Sequence, residues 1–263
     1  MGKILAICTS PRRGTVKTPV PDAVLTPEWG ILGDAHGGAW HRQVSLLSAE
    51  KIEAFRKKLW VDYGAFGENL VVEGFDFRAL PVPSRLAIGG VVLETTQIGK
   101  ECHSDCAIRQ QTGECIMPRE GVFARVLRGG TIHVGDPVAL LPPPEHPPLR
   151  AAVITLSDKG SRGERQDRSG PLAAEMLAEA GYRVEETLLL PDEAEGLKAQ
   201  LIRLADGRQL NLILTTGGTG FSPRDITPEA TLAVADRSAP GIAEAMRYHS
   251  LSITPRGMLS RAA

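Results

Sequence analysis

Five prolines stand among the seven residues from Pro142 to Pro148. Proline fixes φ and carries no backbone N–H, so this stretch continues neither a helix nor a central strand and favours an extended, semi-rigid spacer. At 263 residues the chain is long for one domain. The tract, taken as a linker over residues 142–149, divides it into parts of different rhythm. Before it, the runs Lys3–Cys8, Gln43–Leu47, Leu70–Val72, Arg85–Ile88, Val91–Thr96 and Thr131–Leu140 are short, apolar or alternating, and separated by Gly, Pro or Asp. That pattern predicts a β-rich, barrel-like domain over residues 1–141. One helix is expected over Ser48–Leu59, with Ser48 as N-cap. After the tract, strands are expected at Ala151–Leu156, Arg183–Leu190 and Asn211–Leu214. Helices are expected at Pro171–Ala180, Glu193–Leu204, Thr227–Ala235 and Ile242–Leu251. Such alternation predicts an α/β domain over residues 150–263, three layers deep with a mainly parallel sheet.

Charge and hydropathy exclude several classes of function. The 30 Lys and Arg nearly balance the 31 Asp and Glu, and neither half is strongly basic, so no nucleic-acid surface is implied. No apolar run approaches the roughly 20 residues of a membrane span. The opening MGKILAICTSPRRG holds too short an apolar segment for a signal peptide. A cytoplasmic protein is expected, whose four cysteines are thiols, ligands or nucleophiles rather than structural disulfides.

The densest chemical signal lies in LILTTGGTGFSPRDITPEAT, residues 212–231. An apolar strand runs straight into Thr215-Thr216-Gly217-Gly218-Thr219-Gly220. Three glycines within four residues let the backbone approach a ligand closely with its N–H groups turned towards it. A loop of this kind at the carboxyl end of a strand is where open α/β sheets hold anions. Ser222, Arg224 and Asp225 follow. A phosphate cradle beside a cation and a carboxylate suits nucleotidyl transfer.

This block closely resembles the signature of the molybdopterin adenylyltransferase family. The strand AAVITLSD with its polar loop KGSRGERQDRSG, the segment LLLPDE, and the continuation ADRSAPGIAEAMRYHSLSITPRGMLSR extend the resemblance over residues 150–263. The resemblance implies Mg²⁺-dependent transfer of AMP from ATP to molybdopterin. It places the two aspartates implicated in the chemistry, which would also hold the metal, on Asp192 and Asp225. Ser157, Asp158, Thr216, Gly217, Gly218, Thr219, Gly220, Ser222 and Arg224 are then the expected substrate-binding residues. A homotrimer is expected on resemblance alone. The family continues with another apolar strand and a Leu-Pro-Gly-x-Pro-like loop; this domain is expected to lack both, which leaves the activity of the chain open.

The first half resembles the MOSC domain, named for the carboxyl-terminal domain of molybdenum cofactor sulfurases. The matching residues are Gly33-Asp34-Ala35-His36-Gly37-Gly38, His41-Arg42-Gln43-Val44-Ser45-Leu46-Leu47, Phe66-Gly67-Glu68-Asn69-Leu70, Ile98-Gly99-Lys100-Glu101-Cys102-His103 and Met117-Pro118-Arg119-Glu120-Gly121-Val122-Phe123-Ala124-Arg125-Val126. The resemblance implies a β-rich fold that binds the pterin-based cofactor or handles sulfur for it, with Cys102 as the key thiol. A thiolate suits either task. Arg42, Arg119 and Arg125 are candidates for a cofactor phosphate. Cys102, His103, Cys106 and Cys115 also admit a structural metal, while His36 and His41 admit a metal or a hydrogen-bonded loop role. Cys8 reads as core. Both halves point to molybdenum-cofactor biosynthesis, with other proteins of that pathway as compatible partners. Two alternatives stay open: a non-catalytic carrier of molybdopterin or the finished cofactor, and a sulfurtransferase centred on Cys102.

Overall fold

A computed structural model describes residues 1–101 and 114–263. The chain divides into one unit of Met1–Glu145 with Gly207–Gln209, and a second of His146–Asp206 with Leu210–Ala263.

The first unit is built on a closed ring of strands. In ring order these are β11 (Pro137–Leu141), β7 (Arg85–Ile88), β8 (Val91–Ile98), β9 (Val122–Arg128), β5 (Val44–Ser48), β6 (Leu70–Glu73) and β1 (Gly2–Thr9), and β1 pairs back onto β11. Neighbours are antiparallel except β5 and β6. β2 (Thr18–Val20) adds to the far end of β1. A small sheet joins β10 (Gly130–His133), β3 (Asp22–Thr26) and β4 (Gly30–Ile31).

Two cores follow from the pleat. One holds Ile4, Ile7, Leu46, Leu70, Val72, Leu86 and Leu93; the other holds Ala6, Cys8, Leu47 and Val71 beneath Ile52 and Phe55 of α1 (Ala49–Arg56). Strict alternation would put positions 4, 6 and 8 on one face. An irregularity between Ile4 and Ala6 inserts one residue, so Ile4 faces with Val72 and Ile7 with Leu70, while Ala6 turns with Val71 to the helix side.

Several expectations are corrected here. The run Thr131–Leu140 is two strands, β10 and β11, in different sheets. Gly135, at φ 97°, turns the chain between them, and the Asp136 carboxylate accepts from His133 N–H at 2.8 Å. Ser48 stands at the N-cap of α1, but its hydroxyl donates to Glu50 Oε2 at 2.6 Å instead of accepting from the helix backbone. A short helix, α2 (Met117–Glu120), precedes β9.

In the second unit β12 (Arg150–Leu156) lies between β13 (Arg183–Leu190) and β14 (Leu212–Thr216), parallel to both. Every residue of β12 is buried, which explains an unbroken apolar run where a half-exposed strand would alternate. Ala152, Ile154 and Leu156 pack with Leu197 and Leu201 of α5 (Ala194–Ile202) and Ala230 of α6 (Thr227–Leu232). α4 (Ser169–Glu179) packs on β12 and β13. The remaining α-helices of the unit are α3 (Asp158–Ser161) and α7 (Pro240–Leu251), and a 3-10 turn follows at Pro255–Leu259. Three parallel strands bring the segments after Leu156, Leu190 and Thr216 to one edge of the sheet. No helix among the described residues is long and apolar enough to cross a membrane.

Candidate active site

The loop after β14 owes its shape to glycine. Gly217 and Gly218 have φ of 90° and 63°, where an L side chain is strained. A Cβ on Gly217 would run into the carbonyl of Leu156, and one on Gly218 into the Thr227 hydroxyl. The chain thus lies directly on the end of β12. Beyond it, Gly218 O accepts from Thr227 N–H at 3.1 Å, and Ser222 O accepts from Asp225 N–H at 2.8 Å. The N–H groups of Gly218, Thr219, Gly220 and Phe221 have no acceptor among the described residues. Unmade backbone donors in a row form a concavity for an anion.

The segments after β12 and β13 are tied by a reciprocal exchange. Asp158 N–H donates to Asp192 Oδ2 at 2.9 Å, and Asp192 N–H donates to Asp158 Oδ1 at 3.0 Å. Arg224 adds a bidentate bridge from the glycine loop, with Nε 2.9 Å from Asp158 Oδ2 and Nη2 2.6 Å from Oδ1. These bonds hold the Asp158 carboxyl below the usual carboxylate range, the Arg224 bond being the largest cause. Ser157 caps α3, its hydroxyl accepting from Gly160 N–H at 3.0 Å. The expected residues of this half therefore come together. Ser157 and Asp158 serve as cap and tether, and Arg224 is engaged with a carboxylate instead of standing free.

Asp192 and Asp225 meet the glycine loop at different points. A Cβ on Gly218 would lie 3.4 Å from Asp192 Oδ1, and one on Gly220 would lie 2.8 Å from Asp225 Oδ2. Asp225 Oδ2 accepts from Ser222 N–H at 2.8 Å. Each aspartate thus spends one oxygen on a backbone N–H and keeps Oδ1 without a hydrogen bond among the described residues. Carboxylate oxygens without a hydrogen bond, beside a row of unmade N–H donors, are of the chemistry Mg²⁺ takes, since it binds one or two carboxylates and completes its shell with phosphate and water. No cluster of three or more His, Cys, Asp or Glu suited to a metal occurs among the described residues.

A cavity of about 530 Å³ opens beside the loop, lined by Thr155, Ser157, Asp167, Ser169, Thr216 and Gly217 among others. Asp167 fixes the start of α4 by accepting from Ser169 and Gly170 N–H at 3.0 and 3.1 Å. The sequence reading assigned no role to Thr155, Asp167 or Thr227. It also missed Arg261, whose guanidinium reaches the carbonyls of Gly220 and Asp225 and the Glu229 carboxylate. Only a contact map could have found it, because 41 residues separate it from Gly220.

In the first unit, the Gly33–Arg42 loop is organised by buried Asp34. Its oxygens accept from Lys17 Nζ at 2.8 Å, and from Ser10 and His36 N–H at 3.0 Å. Burial alone would raise this carboxyl, but the bonds from His36 and Lys17 and the Lys17 charge hold it well below its ordinary range. The Arg42 guanidinium lies over the rings of Trp40 (4.9 Å) and Phe123 (5.6 Å). Arg125 pairs with Glu94 at 2.7 Å. Arg119 lies 3.6 Å from Glu114. His41 shares a 3.0 Å hydrogen bond with Gln97, and His36 lies 3.3 Å from Asp34. Cys8 is buried, Cys115 half-buried, and Cys102, His103 and Cys106 lie outside the described residues.

Comparison with known proteins agrees with this division. Residues 152–263 match the family model for a probable molybdopterin binding domain, and residues 33–139 match that for the MOSC domain. The molybdopterin adenylyltransferase of Escherichia coli K12 is 45% identical over 116 residues, covering 43% of this chain and 59% of that protein. The chain thus spans about three-fifths of the length of that relative. The molybdenum cofactor synthesis protein cinnamon of Drosophila melanogaster is 34% identical over 110 residues, covering 41% of this chain and 18% of that protein. The solved structure of the molybdopterin biosynthesis enzyme MoaB from Thermus thermophilus is 48% identical, covering 43% of this chain and 71% of that one, with a TM-score of 0.40.

Proposed function

We propose that this chain, a member of the MOSC family through residues 33–139 and of the probable molybdopterin binding family through residues 152–263, transfers AMP from ATP to molybdopterin in its second unit. The carrying observation is the row of four loop N–H groups without acceptors, set between Asp192 and Asp225. In the reaction, the terminal phosphate oxygen of molybdopterin forms a bond to the α-phosphorus of ATP. The bond from that phosphorus to pyrophosphate breaks, and pyrophosphate leaves with its electron pair.

Two polyanions must meet, so positioning and charge compensation supply most of the rate. The N–H groups from Gly218 to Phe221 receive a phosphate, and Thr216 and Thr219 add hydroxyl donors. The cavity beside Ser157 and Ser169 admits the rest of a substrate. Asp192 and Asp225 would hold Mg²⁺ through Oδ1, and the ion would neutralise phosphate charge. Arg224 would exchange its bridge to Asp158 for a phosphate oxygen. The three-layer description of this unit and the linker at residues 142–149 belong to the same reading.

The first unit would hold the cofactor or its sulfur, with Arg42 receiving phosphate and Cys102 as the reactive thiol. A cytoplasmic homotrimer supplied by other proteins of molybdenum-cofactor biosynthesis completes the proposal. The test is incubation of the protein with molybdopterin, ATP and Mg²⁺, following AMP attached to the pterin. Bound molybdopterin with no AMP transfer would replace the enzyme with a carrier.

A further inference from the structure

An anion meets the N–H side of a loop only if the loop's carbonyls are turned elsewhere and held there. Here one distant residue takes three of them. Arg261 N–H donates to Thr219 O at 3.1 Å, its Nε to Gly220 O at 2.6 Å and its Nη2 to Asp225 O at 2.5 Å. Its Nη1 pairs with the Glu229 carboxylate of α6, and its guanidinium lies 5.9 Å from the centre of the Phe221 ring. Gly218 O is already taken by Thr227 N–H. The carbonyls of Gly218, Thr219 and Gly220 are all engaged, while the N–H groups of Gly218, Thr219 and Gly220 are not.

We propose that Arg261 is a positioning residue that fixes the loop from Gly218 to Asp225 in its anion-receiving form; this rests on the function proposed above. Three arguments converge. The guanidinium is a planar fork of donors that can serve two carbonyls and a carboxylate at once, which a lysine ammonium cannot do in that geometry. Asp225 is held at both ends, its carbonyl by Arg261 and its Oδ2 by Ser222 N–H, so its free Oδ1 has a defined direction. Glu229 orients and neutralises the guanidinium, so Arg261 is not itself the anion's counter-charge.

The test compares the full chain with Arg261→Lys, Arg261→Gln and Glu229→Gln. Amide hydrogen exchange is expected to rise at least tenfold at Ser222, Asp225 and Thr227, the hydrogen-bonded amides of the loop, in both Arg261 variants, with the β12 amides unchanged. The kcat for AMP transfer is expected to fall at least tenfold in both Arg261 variants while the KM for ATP stays within threefold, and Glu229→Gln, which loosens the guanidinium without removing it, is expected to lower kcat by less than Arg261→Gln does. Exchange at the parent rate in Arg261→Lys and Arg261→Gln overturns the proposal. So does faster loop exchange with kcat, per folded molecule, within twofold of the parent. If the parent transfers no AMP, the proposed function falls, and inorganic pyrophosphate decides the present point. It should protect residues 218–221 from exchange in the parent and not in Arg261→Gln; equal behaviour of the two overturns the role of Arg261.

Discussion

Asp158 and Asp192 each donate a backbone N–H to the other's carboxylate, at 2.9 and 3.0 Å, so two like charges are held side by side through neutral donors. Arg224 then adds its guanidinium to Asp158 alone. Asp192 keeps one oxygen without a hydrogen bond among the described residues, while both oxygens of Asp158 are spent on protein. The pair therefore separates a carboxylate with an uncommitted oxygen from one wholly engaged by protein donors, although adjacent strand ends carry both.

The Arg224 bridge to Asp158 is visible by titration. The folded pKa of Asp158 is lowered, so the Arg224 bridge contributes above the ordinary carboxyl value of 3.8 and is lost as pH falls through the lowered folded value. Carbon-detected NMR should place the Asp158 midpoint below 3.8 in the parent and return it towards 3.8 in Arg224→Gln. An unchanged midpoint would mean that the bridge does not persist in solution.

Asp225→Asn keeps an oxygen able to accept from Ser222 N–H but removes the charge that would hold Mg²⁺. AMP transfer is expected to fall by about two orders of magnitude or more, the scale seen when a developing charge loses one preorganised partner. Molybdopterin affinity should stay within a few-fold. Turnover close to the parent's would remove Asp225 from the chemistry. Asp192→Asn should behave alike, with some loss of stability where its carboxylate accepts from Asp158 N–H.

Gly217→Ala forces a side chain to a φ of 90° and against the Leu156 carbonyl. Strain of this kind costs about 1–3 kcal/mol. Urea denaturation followed in the second unit should show that loss, together with weaker substrate binding. A variant as stable as the parent would show that the loop relaxes freely.

In the first unit, Lys17→Met would strand the buried Asp34 charge, at a cost of about 3–5 kcal/mol. The sign with pH is defined. Asp34 has a depressed folded pKa, so its stabilisation is complete above 3.8 and fades as pH falls. Acid unfolding of parent and variant should therefore converge at low pH. A constant gap between the two curves would assign the loss to packing.

Burial pushes the Cys8 thiol up to about 12, and its side chain is inside the core. Iodoacetamide near pH 8 should modify the half-buried Cys115 in the native protein and reach Cys8 only in urea. Native labelling of Cys8 at the Cys115 rate would contradict the packing beneath α1.

What was legible in the sequence was what is local. Strand, glycine turn, Arg224 and Asp225 follow one another within a single stretch, so their grouping needed no knowledge of the fold. The PDE segment was readable for the same reason. The bonds that give these residues separate tasks cross between strand ends, and no local pattern marks them. Arg261 stands in a segment of ordinary composition, and its three carbonyl partners become visible only once the chain has folded back. In the first unit β2 and β4 span three and two residues, too short for alternation to register. The insertion between Ile4 and Ala6 breaks the period that a sequence reading must assume.

The seam of the first unit has a consequence for how such a part can be handled. β1 and β11 pair with Gly2 opposite Val138 and Lys3 opposite Pro137, so the strand that begins the ring lies beside the strand that ends it. A ring whose first and last strands are neighbours can be re-threaded without parting any of its strand pairings. A short tether from Leu141 back to Met1, with new ends cut between Ile88 and Val91, should yield a permuted ring that unfolds in one cooperative step. Stepwise unfolding would show that the ring depends on the original order of its chain, and that the seam is a coincidence of closure with no bearing on modularity.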